Sequence, residues 1–169
     1  MLTVAITYTL KDASLDIRHL PDDWQEELDS LATIQGIAGV LEKLGHRVLL
    51  LGDGPELPGK LQAERPDLVF NLAEGRGVSR SREAWVPALL ESLGIPYTAS
   101  DPLTCAVTLE KDYAKRLVAS AGVPVPTGLV VQPGNPLPEA ARLPLQYPLL
   151  VQPAWEGSSK GIRHRCLVH

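Results

Sequence analysis

A glycine-rich loop near the carboxyl terminus holds the residues best suited to chemistry. An apolar run from Tyr147 to Pro153 leads into the segment Glu156-Gly157-Ser158-Ser159-Lys160-Gly161-Ile162. Its two glycines let the main chain approach a ligand closely, and its hydroxyls and main-chain N–H groups can donate hydrogen bonds to anionic oxygens. Lys160 adds a compact positive charge. The segment therefore predicts a loop that covers phosphate groups.

A second group of charged residues lies in the loop between residues 72 and 83. It comprises Glu74, Arg76, Arg80, Arg82 and Glu83, with Gly75 and Gly77 among them. Such a cluster at the start of a helix could hold a carboxylate or a phosphate. The alternative is a solvated loop whose charges pair with one another, and the residues leave both interpretations open.

Composition indicates a globular protein and argues against several function classes. The sequence of 169 residues is 44% hydrophobic, which is enough for a core, and no apolar run approaches the ~18 residues of a membrane span. The net charge of −4 argues against an extended nucleic-acid surface. Cys105 and Cys166 lack metal-ligand spacing and are expected to be free thiols. We expect a cytoplasmic protein that binds neither nucleic acid nor membrane.

The elements that must position these loops alternate between strands and helices. Apolar periodicity predicts strands Thr3–Tyr8, Arg47–Leu51, Asp67–Asn71 and Ile95–Thr98, and helices Leu31–Leu44, Pro58–Glu64 and Arg82–Leu93. This order is typical of β-α-β crossovers and a parallel sheet, whose ligand-binding loops follow the carboxyl ends of the strands. Asp29 or Ser30 is expected to cap the first helix, and the three tryptophans are expected to act mainly as packing anchors.

The pattern changes after Ser100. A helix is predicted over Thr104–Ala121, with strands at Thr127–Gln132, Pro148–Gln152 and Gly161–Val168, and a connection rich in proline and glycine over residues 133–146. The last two strands predict a hairpin with the glycine-rich loop at its tip. We therefore predict two domains, residues 1–100 and residues 101–169.

Four motifs occur together in the order typical of one family. They are DLVFNLAEG, ESLGIPYTASDPLT, LEKDYAKRLVASAGVPVP and YPLLVQPAWEGSSKGI. With them the chain resembles D-alanine–D-alanine ligase and its relatives in the ATP-grasp superfamily. The loop does not match the P-loop pattern. The resemblance implies an α/β fold: a Rossmann-like parallel-sheet domain, termed pre-ATP-grasp, followed by a partial α+β ATP-grasp subdomain.

The resemblance also implies a cofactor and its contacts. Members of this family use ATP and Mg²⁺ to form an acyl-phosphate, which an amine then attacks. Lys111 matches the family's nucleotide-contacting lysine, and the loop from Gly157 to Gly161 matches the mobile loop over the triphosphate. The expected nucleotide-binding residues are Lys111, Gln152, Glu156, Gly157, Ser158, Ser159, Lys160 and Gly161. Glu156 is expected to set the loop geometry more readily than to bind metal, and we assign no metal ligand in this chain.

Two residues depart from the family pattern. Gln152 stands where the family has a phosphate-contacting lysine, and the loss of that charge could cost about 2–4 kcal/mol of transition-state stabilisation. Glu74 stands where D-alanine ligases carry a histidine, which argues for a different amino acid or another small carboxylate or amine as substrate. The expected substrate contacts are Glu74, Arg82 and Glu83. The resemblance places the family's amine-recognising glutamate in the region of Asp29 and Ser30.

Three functional hypotheses follow from the resemblance. The first is the amino-terminal portion of an ATP-grasp ligase, shortened by cloning, proteolysis or an interrupted reading frame and inactive alone, because the family's metal ligands lie beyond the phosphate loop. The second is a non-catalytic binding or interaction module. The third is an enzyme completed by a partner subunit or by a second copy in a homodimer, with pairing through the hairpin edge at Gly161–Val168.

Overall fold

A parallel sheet of three strands forms the centre of the amino-terminal region. The structure is a computed structural model and describes residues 1–12, 14, 18–136, 139 and 145–169. Its sheet has the order β2-β1-β3, formed by β1 (Thr3–Tyr8), β2 (Arg47–Leu50) and β3 (Leu68–Leu72). In the register, Ala5 of β1 lies opposite Leu49 on one side and Val69 on the other. The predicted α/β class with a parallel sheet is therefore confirmed.

Helices cover both faces of this sheet because the central strand is apolar on both faces. On one face α1 (Leu31–Lys43) packs Ile34 and Ala38 against Ile6 of β1. On the other, α2 (Leu57–Glu64) and α3 (Trp85–Ser92) pack with Ala5 and Val69. Alternation of side chains along β1 thus feeds two separate apolar clusters. Ser30, one of the two predicted caps, accepts a hydrogen bond from the Thr33 amide at 3.1 Å and begins α1.

The predicted strand Ile95–Thr98 is not a full strand. It is reduced to one parallel bridge between Val69 and Tyr97. The Val69 amide donates to the Pro96 carbonyl at 2.8 Å, but Pro96 has no N–H of its own to extend the ladder. The Asn71 amide donates instead to the Thr98 hydroxyl at 3.1 Å. A side chain therefore replaces the main-chain bond that would have continued the strand.

The predicted helix Thr104–Ala121 is two helices, α4 (Pro102–Leu109) and α5 (Lys111–Ser120). Glu110 between them is buried and has an extended backbone, with φ of −89° and ψ of 99°. The Lys111 amide donates to the Ala154 carbonyl at 2.9 Å rather than continuing the helix. A tertiary hydrogen bond thus breaks the helix at the residue whose side chain caps α5.

The carboxyl-terminal strands are shorter than predicted. Residues 127–132 form no strand, since no neighbouring strand is paired with them among the described residues. Only β4 (Leu149–Leu150) and β5 (Leu167–Val168) pair, antiparallel. The expected strand from Gly161 onwards is instead a turn and a 3-10 helix at His164–Cys166. Of the predicted connection over residues 133–146, positions 137, 138 and 140–144 lie outside the described residues.

Candidate functional site

The loops that follow the three strands meet at the hydroxyl of Thr9. This buried hydroxyl, just after β1, donates to the Asp53 carboxylate after β2 at 2.6 Å and accepts from the Glu74 amide after β3 at 3.1 Å. Arg76 donates from its Nε to Asp53 Oδ1 at 3.0 Å. Parallel strands bring the loops at their carboxyl ends to one edge of the sheet, and these hydrogen bonds fix the loops there.

Arg82 lies at the centre of the site and is almost completely buried. Its side chain is 1% exposed, in the 3-10 helix Arg82–Ala84 that leads into α3. The Nη2 atom donates to both carboxylate oxygens of Glu27, at 2.9 and 3.0 Å, and to Glu156 Oε2 at 3.0 Å. The Nη1 atom donates to the Trp155 carbonyl at 3.1 Å. One guanidinium thus joins the loop after β1, the start of α3 and the glycine-rich loop.

Lys160 points into the same cluster. Its ammonium lies 3.3 Å from Glu27 Oε1, 2.9 Å from Glu156 Oε2 and 4.7 Å from the centre of the Trp24 ring. The residue is only 8% exposed. Two carboxylates and an indole thus attract the ammonium into the protein.

Two further contacts fasten the end of the loop. The Gly161 amide donates to Asp23 Oδ2 at 2.5 Å. The Arg163 guanidinium contacts Asp22 at 2.6 Å and Asp23 at 2.9 Å. The hydrogen bond from the Gly161 N–H lowers the pKa of Asp23 below its usual range, and the charge of Arg163 adds to this effect. The segment 22–27 thus accepts hydrogen bonds from three residues, Lys160, Gly161 and Arg163.

The other side of the glycine-rich loop borders a cleft. The cleft has a volume of about 420 Å³, and its wall includes Glu83, Lys111 and the residues Glu156, Gly157, Ser158 and Ser159. Lys111 donates from Nζ to the Glu156 carbonyl oxygen. Burial lowers the pKa of Lys111, while the nearby Glu156 carboxylate opposes that shift. Gln152 is exposed and is not among the residues that line this cleft.

Three residues of the glycine-rich loop have a left-handed backbone conformation. Ser158 and Ser159 have φ angles of 46° and 59°, and Gly161 has a φ of 78°. A Cβ at Gly157 would lie 3.3 Å from Glu27 Oε2, and one at Gly161 would lie 2.5 Å from the Pro153 ring, so the second glycine has no room for a side chain. Both serines are exposed beside the cleft. The described residues contain no acceptor for the main-chain N–H groups of residues 157–159.

Glu74 and Glu83 are half-buried carboxyl groups near this cluster. Burial raises the pKa of Glu74 to about 7, and the nearby carboxylates of Glu83, Glu27 and Asp29 add to the effect. Burial also raises the pKa of Glu83, against the opposing charge of Arg82. Both groups therefore lie where a negative charge is costly without a cation beside it.

The three arginines of the loop 72–83 have separate partners. Arg76 pairs with Asp53 at 3.0 Å, Arg82 pairs with Glu27 and Glu156, and Arg80 lies 5.0 Å from the centre of the Tyr113 ring. The geometry therefore matches neither sequence interpretation fully. The charges do not pair within the loop, and they are not gathered around one anion site.

Comparisons with known proteins found relatives among the D-alanine–D-alanine ligases. No family model matches the chain. The D-alanine–D-alanine ligase of Aquifex aeolicus is 38% identical over 135 residues, which are 79% of this chain and 44% of that enzyme. The ligase of Methylobacterium radiotolerans is 40% identical over 134 residues, 79% of this chain and 41% of that enzyme. This chain is related to the D-alanine–D-alanine ligases.

Solved structures of such a ligase share the fold of this ligase-like chain. The D-alanine–D-alanine ligase of Bacillus anthracis matches with a TM-score of 0.72 and 19% identity, over 96% of this chain and 49% of that enzyme. The same ligase complexed with ATP matches with a TM-score of 0.60 and 17% identity, over 82% of this chain and 42% of that enzyme. The ligase-like chain thus spans less than half the length of these relatives.

Sequence reasoning missed several residues of this site. Trp24 was expected to be a packing anchor, yet its ring faces the Lys160 ammonium, and no role was predicted for Glu27, Asp23 or Arg163. The available signal was the density of acids in the segment Asp22-Asp23-Trp24-Gln25-Glu26-Glu27, in the first long loop after a strand. The partners of this segment in residues 160–163 lie more than 130 residues away, and no local pattern indicates such a pairing.

The described residues contain no group of three or more His, Cys, Asp or Glu side chains arranged to hold a metal ion. Cys105 and Cys166 are both free, as expected. None of the helices in the described part of the chain has the length and apolar character needed to cross a bilayer.

Proposed function

We propose that this chain takes part in an ATP-dependent ligation of a carboxylate to an amine, of the D-alanine–D-alanine ligase type, through an acyl-phosphate. The observation that carries the proposal is the cleft lined by Lys111, the glycine-rich loop and Glu83. Relatives with 38–40% identity are named as such ligases. The chain matches less than half of their length, so the activity of the whole protein is part of the proposal.

The nucleotide side of the proposal rests on donors that converge on the cleft. Lys111, the two serine hydroxyls and the main-chain N–H groups of residues 157–159 are suited to phosphate oxygens. Bound ATP would supply the phosphoryl group that activates the carboxylate. The protein's own part is to position the phosphates and balance their charge. Gln152 lies outside the lining of the cleft, so its contact with the nucleotide rests on the resemblance alone.

The substrate side of the proposal rests on Glu74 and Glu83, beside Arg82. The carboxyl groups of Glu74 and Glu83 are half-buried, and the guanidinium of Arg82 is already engaged by Glu27 and Glu156. A substrate ammonium near Glu74 and Glu83 would offset the cost of burying these two carboxylates. The replacement of the family's histidine by Glu74 favours an amino acid other than D-alanine.

We extend the proposal to two domains, residues 1–100 and 101–169, and to a cytoplasmic location without nucleic-acid binding.

A non-catalytic binding module is the second candidate. Both buried cations of the site, Arg82 and Lys160, are neutralised by Glu27 and Glu156, so the cluster is stable without a ligand. A homodimer is the third proposal. It is supported by α5, which has no buried residue although its sequence is strongly amphipathic. Nucleotide binding separates the first candidate from the second.

Calorimetric titration of MgATP tests the first proposal. We expect the wild-type chain to bind MgATP and the Lys111→Met variant to bind about tenfold more weakly or worse, because a charge-assisted hydrogen bond contributes about 1.5–3 kcal/mol. The matched control is Lys43→Met, which removes one lysine charge from the exposed end of α1. We expect its affinity to stay within about twofold of the wild type.

Two outcomes would contradict the ligase proposal. If no heat of binding is measured up to millimolar nucleotide, the chain has no nucleotide site and the binding module is favoured. If Lys111→Met and Lys43→Met lose the same MgATP affinity, the net charge of the chain attracts the nucleotide and Lys111 does not contact it.

A further inference from the structure

We infer that Lys160 is a positioning residue that anchors the glycine-rich loop to the segment 22–27, and that it is not a ligand of the nucleotide phosphates. This inference rests on the proposed role of the loop in nucleotide binding and assigns its parts different tasks. Residues 157–159 form the cleft part of the loop. Lys160, Gly161 and Arg163 form the anchor part, while Ile162 between them lines the cleft.

The position of the ammonium carries the first step. Lys160 Nζ is 2.9 Å from Glu156 Oε2, 3.3 Å from Glu27 Oε1 and 4.7 Å from the centre of the Trp24 ring. Its side chain is 9% exposed. Lys160 is also absent from the residues that line the cleft, whereas Ser158 and Ser159 line it. The charge therefore lies inside the protein and not in the proposed phosphate site.

Charge balance in the cluster supplies the second step. Two cations, Arg82 and Lys160, share two carboxylates, Glu27 and Glu156, and the exposure of these four side chains ranges from 1% to 17%. Moving Lys160 to a bound phosphate would leave two largely buried carboxylates with one guanidinium. Separation of a buried pair that leaves an uncompensated charge is strongly unfavourable. The ammonium is therefore held where it is.

Glu156 supplies the third step because its two ends face different parts of the site. Its carbonyl oxygen accepts from Lys111 beside the cleft, while its carboxylate pairs with Lys160 and Arg82 in the cluster. Holding the carboxylate therefore also holds the carbonyl oxygen that contacts Lys111. The anchor determines where the cleft part of the loop lies relative to Lys111.

Gly161 and Arg163, near Lys160, also hold the loop against the segment 22–27. The Gly161 amide donates to Asp23 at 2.5 Å, and Arg163 pairs with Asp22 and Asp23. Three positions of the anchor part thus bind one short segment that precedes α1. The two serines with positive φ lie just before it and are left exposed at the cleft.

Hydrogen exchange of the nucleotide-free protein, followed by mass spectrometry, tests this inference. In Lys160→Met we expect exchange to rise on the order of tenfold or more in peptides covering residues 156–163 and 22–27, since local opening no longer separates a buried ion pair. We expect Lys160→Arg to restore most of the protection, and Lys43→Met to match the wild type. Trp24→Leu tests the same contact from the other segment and should also raise exchange in residues 156–163.

Unchanged exchange in both Lys160→Met and Trp24→Leu would overturn the inference. Circular dichroism of each variant would establish that its fold is retained. If only one of the two variants folds, its exchange alone tests the inference. The result is independent of nucleotide affinity. A wild-type chain that binds no ATP would remove the proposed function and leave the anchor intact, whereas ATP binding with unchanged exchange in both variants would remove only the anchor.

Discussion

At the scale of single residues, Glu74 has the carboxyl group whose pKa is raised furthest among those in the described part of the chain. It follows β3 and lies among other acids, so burial and the charges of Glu83, Glu27 and Asp29 raise its pKa to about 7. The charge of Arg82 lowers it by a smaller amount. At neutral pH the Glu74 carboxyl is therefore divided between its protonated and ionised forms.

This raised pKa predicts how stability depends on pH. The Glu74 pKa is higher in the folded chain than in the unfolded one, so the folded chain binds more protons, and the stabilisation present below about pH 4.5 is lost as the pH rises to about 7. We expect Glu74→Gln to remove this loss. Relative to the wild type, the variant should gain about 1–2 kcal/mol between these limits, a value discounted for solvent screening.

Urea denaturation across this pH range measures the effect. The control is Glu42→Gln, which changes an exposed carboxylate on α1 and should leave the pH dependence as in the wild type. If Glu74→Gln and the wild type have parallel stability curves from pH 4 to pH 8, the Glu74 carboxyl is not in the surroundings described above. The same group would also report on a bound substrate ammonium, which should lower its pKa.

At the level of elements, the turn between β3 and the start of α3 depends on Gly75. Its φ is 76°, and a Cβ at this position would lie 2.3 Å from the carbonyl oxygen of Arg82. Gly77 nearby has a similar φ of 79°, but a Cβ there would meet nothing within 4 Å. A side chain at either glycine would therefore have the cost of a left-handed backbone, but only a side chain at Gly75 would also clash with a neighbour.

We predict that Gly75→Ala destabilises the fold more than Gly77→Ala does. Alanine in the left-handed region costs about 1–2 kcal/mol at either position. The clash with Arg82 should add about 1–3 kcal/mol at Gly75, because the main chain that carries the central guanidinium must shift. Urea denaturation gives the two unfolding free energies. Equal values would mean that the turn relaxes around the new methyl group without disturbing Arg82.

Periodicity and capping predicted those elements whose structure is decided locally. The apolar run of β1 and the three- and four-residue spacing of α1 require burial of one strand and one helix face, and both elements occur within a residue of their predicted bounds. The predictions failed where distant partners decide. The Lys111 amide donates to Ala154 and breaks a helix, and the Gly161 amide donates to Asp23 and prevents a strand.

The same distinction applies to the candidate site. Lys111 and the glycine-rich loop were predicted because their motifs are contiguous, and they do meet at one cleft. Glu27 and Trp24 were missed because their roles depend on Lys160, from which they are separated by more than 130 residues. A lysine in a glycine-rich loop suggests a phosphate ligand in any sequence. Only the fold shows that carboxylates already surround it.

At the level of the whole molecule, apolar exposure is unevenly distributed. The sheet and its three helices bury two apolar clusters. In contrast, α5 buries no residue, and its side chains Tyr113, Leu117 and Val118 are 48%, 60% and 41% exposed. An amphipathic helix with an exposed apolar face is typical of a surface that another polypeptide covers. This distribution supports the proposed homodimer through the α5 face.

Sedimentation equilibrium tests that homodimer with a matched pair of variants. Leu117→Glu places a charge on the exposed face of α5, whereas Leu103→Glu places one on α4 at a leucine that is 74% exposed and lies outside that face. We expect the wild type to dimerise and Leu117→Glu to weaken dimerisation by about tenfold or more, because a buried leucine contributes about 1.5–3 kcal/mol and an unpaired buried charge costs further free energy. Leu103→Glu should dimerise as the wild type does. A wild-type chain that is monomeric at high concentration, or a pair of variants that weaken association equally, would mean that α5 does not pair with a second copy.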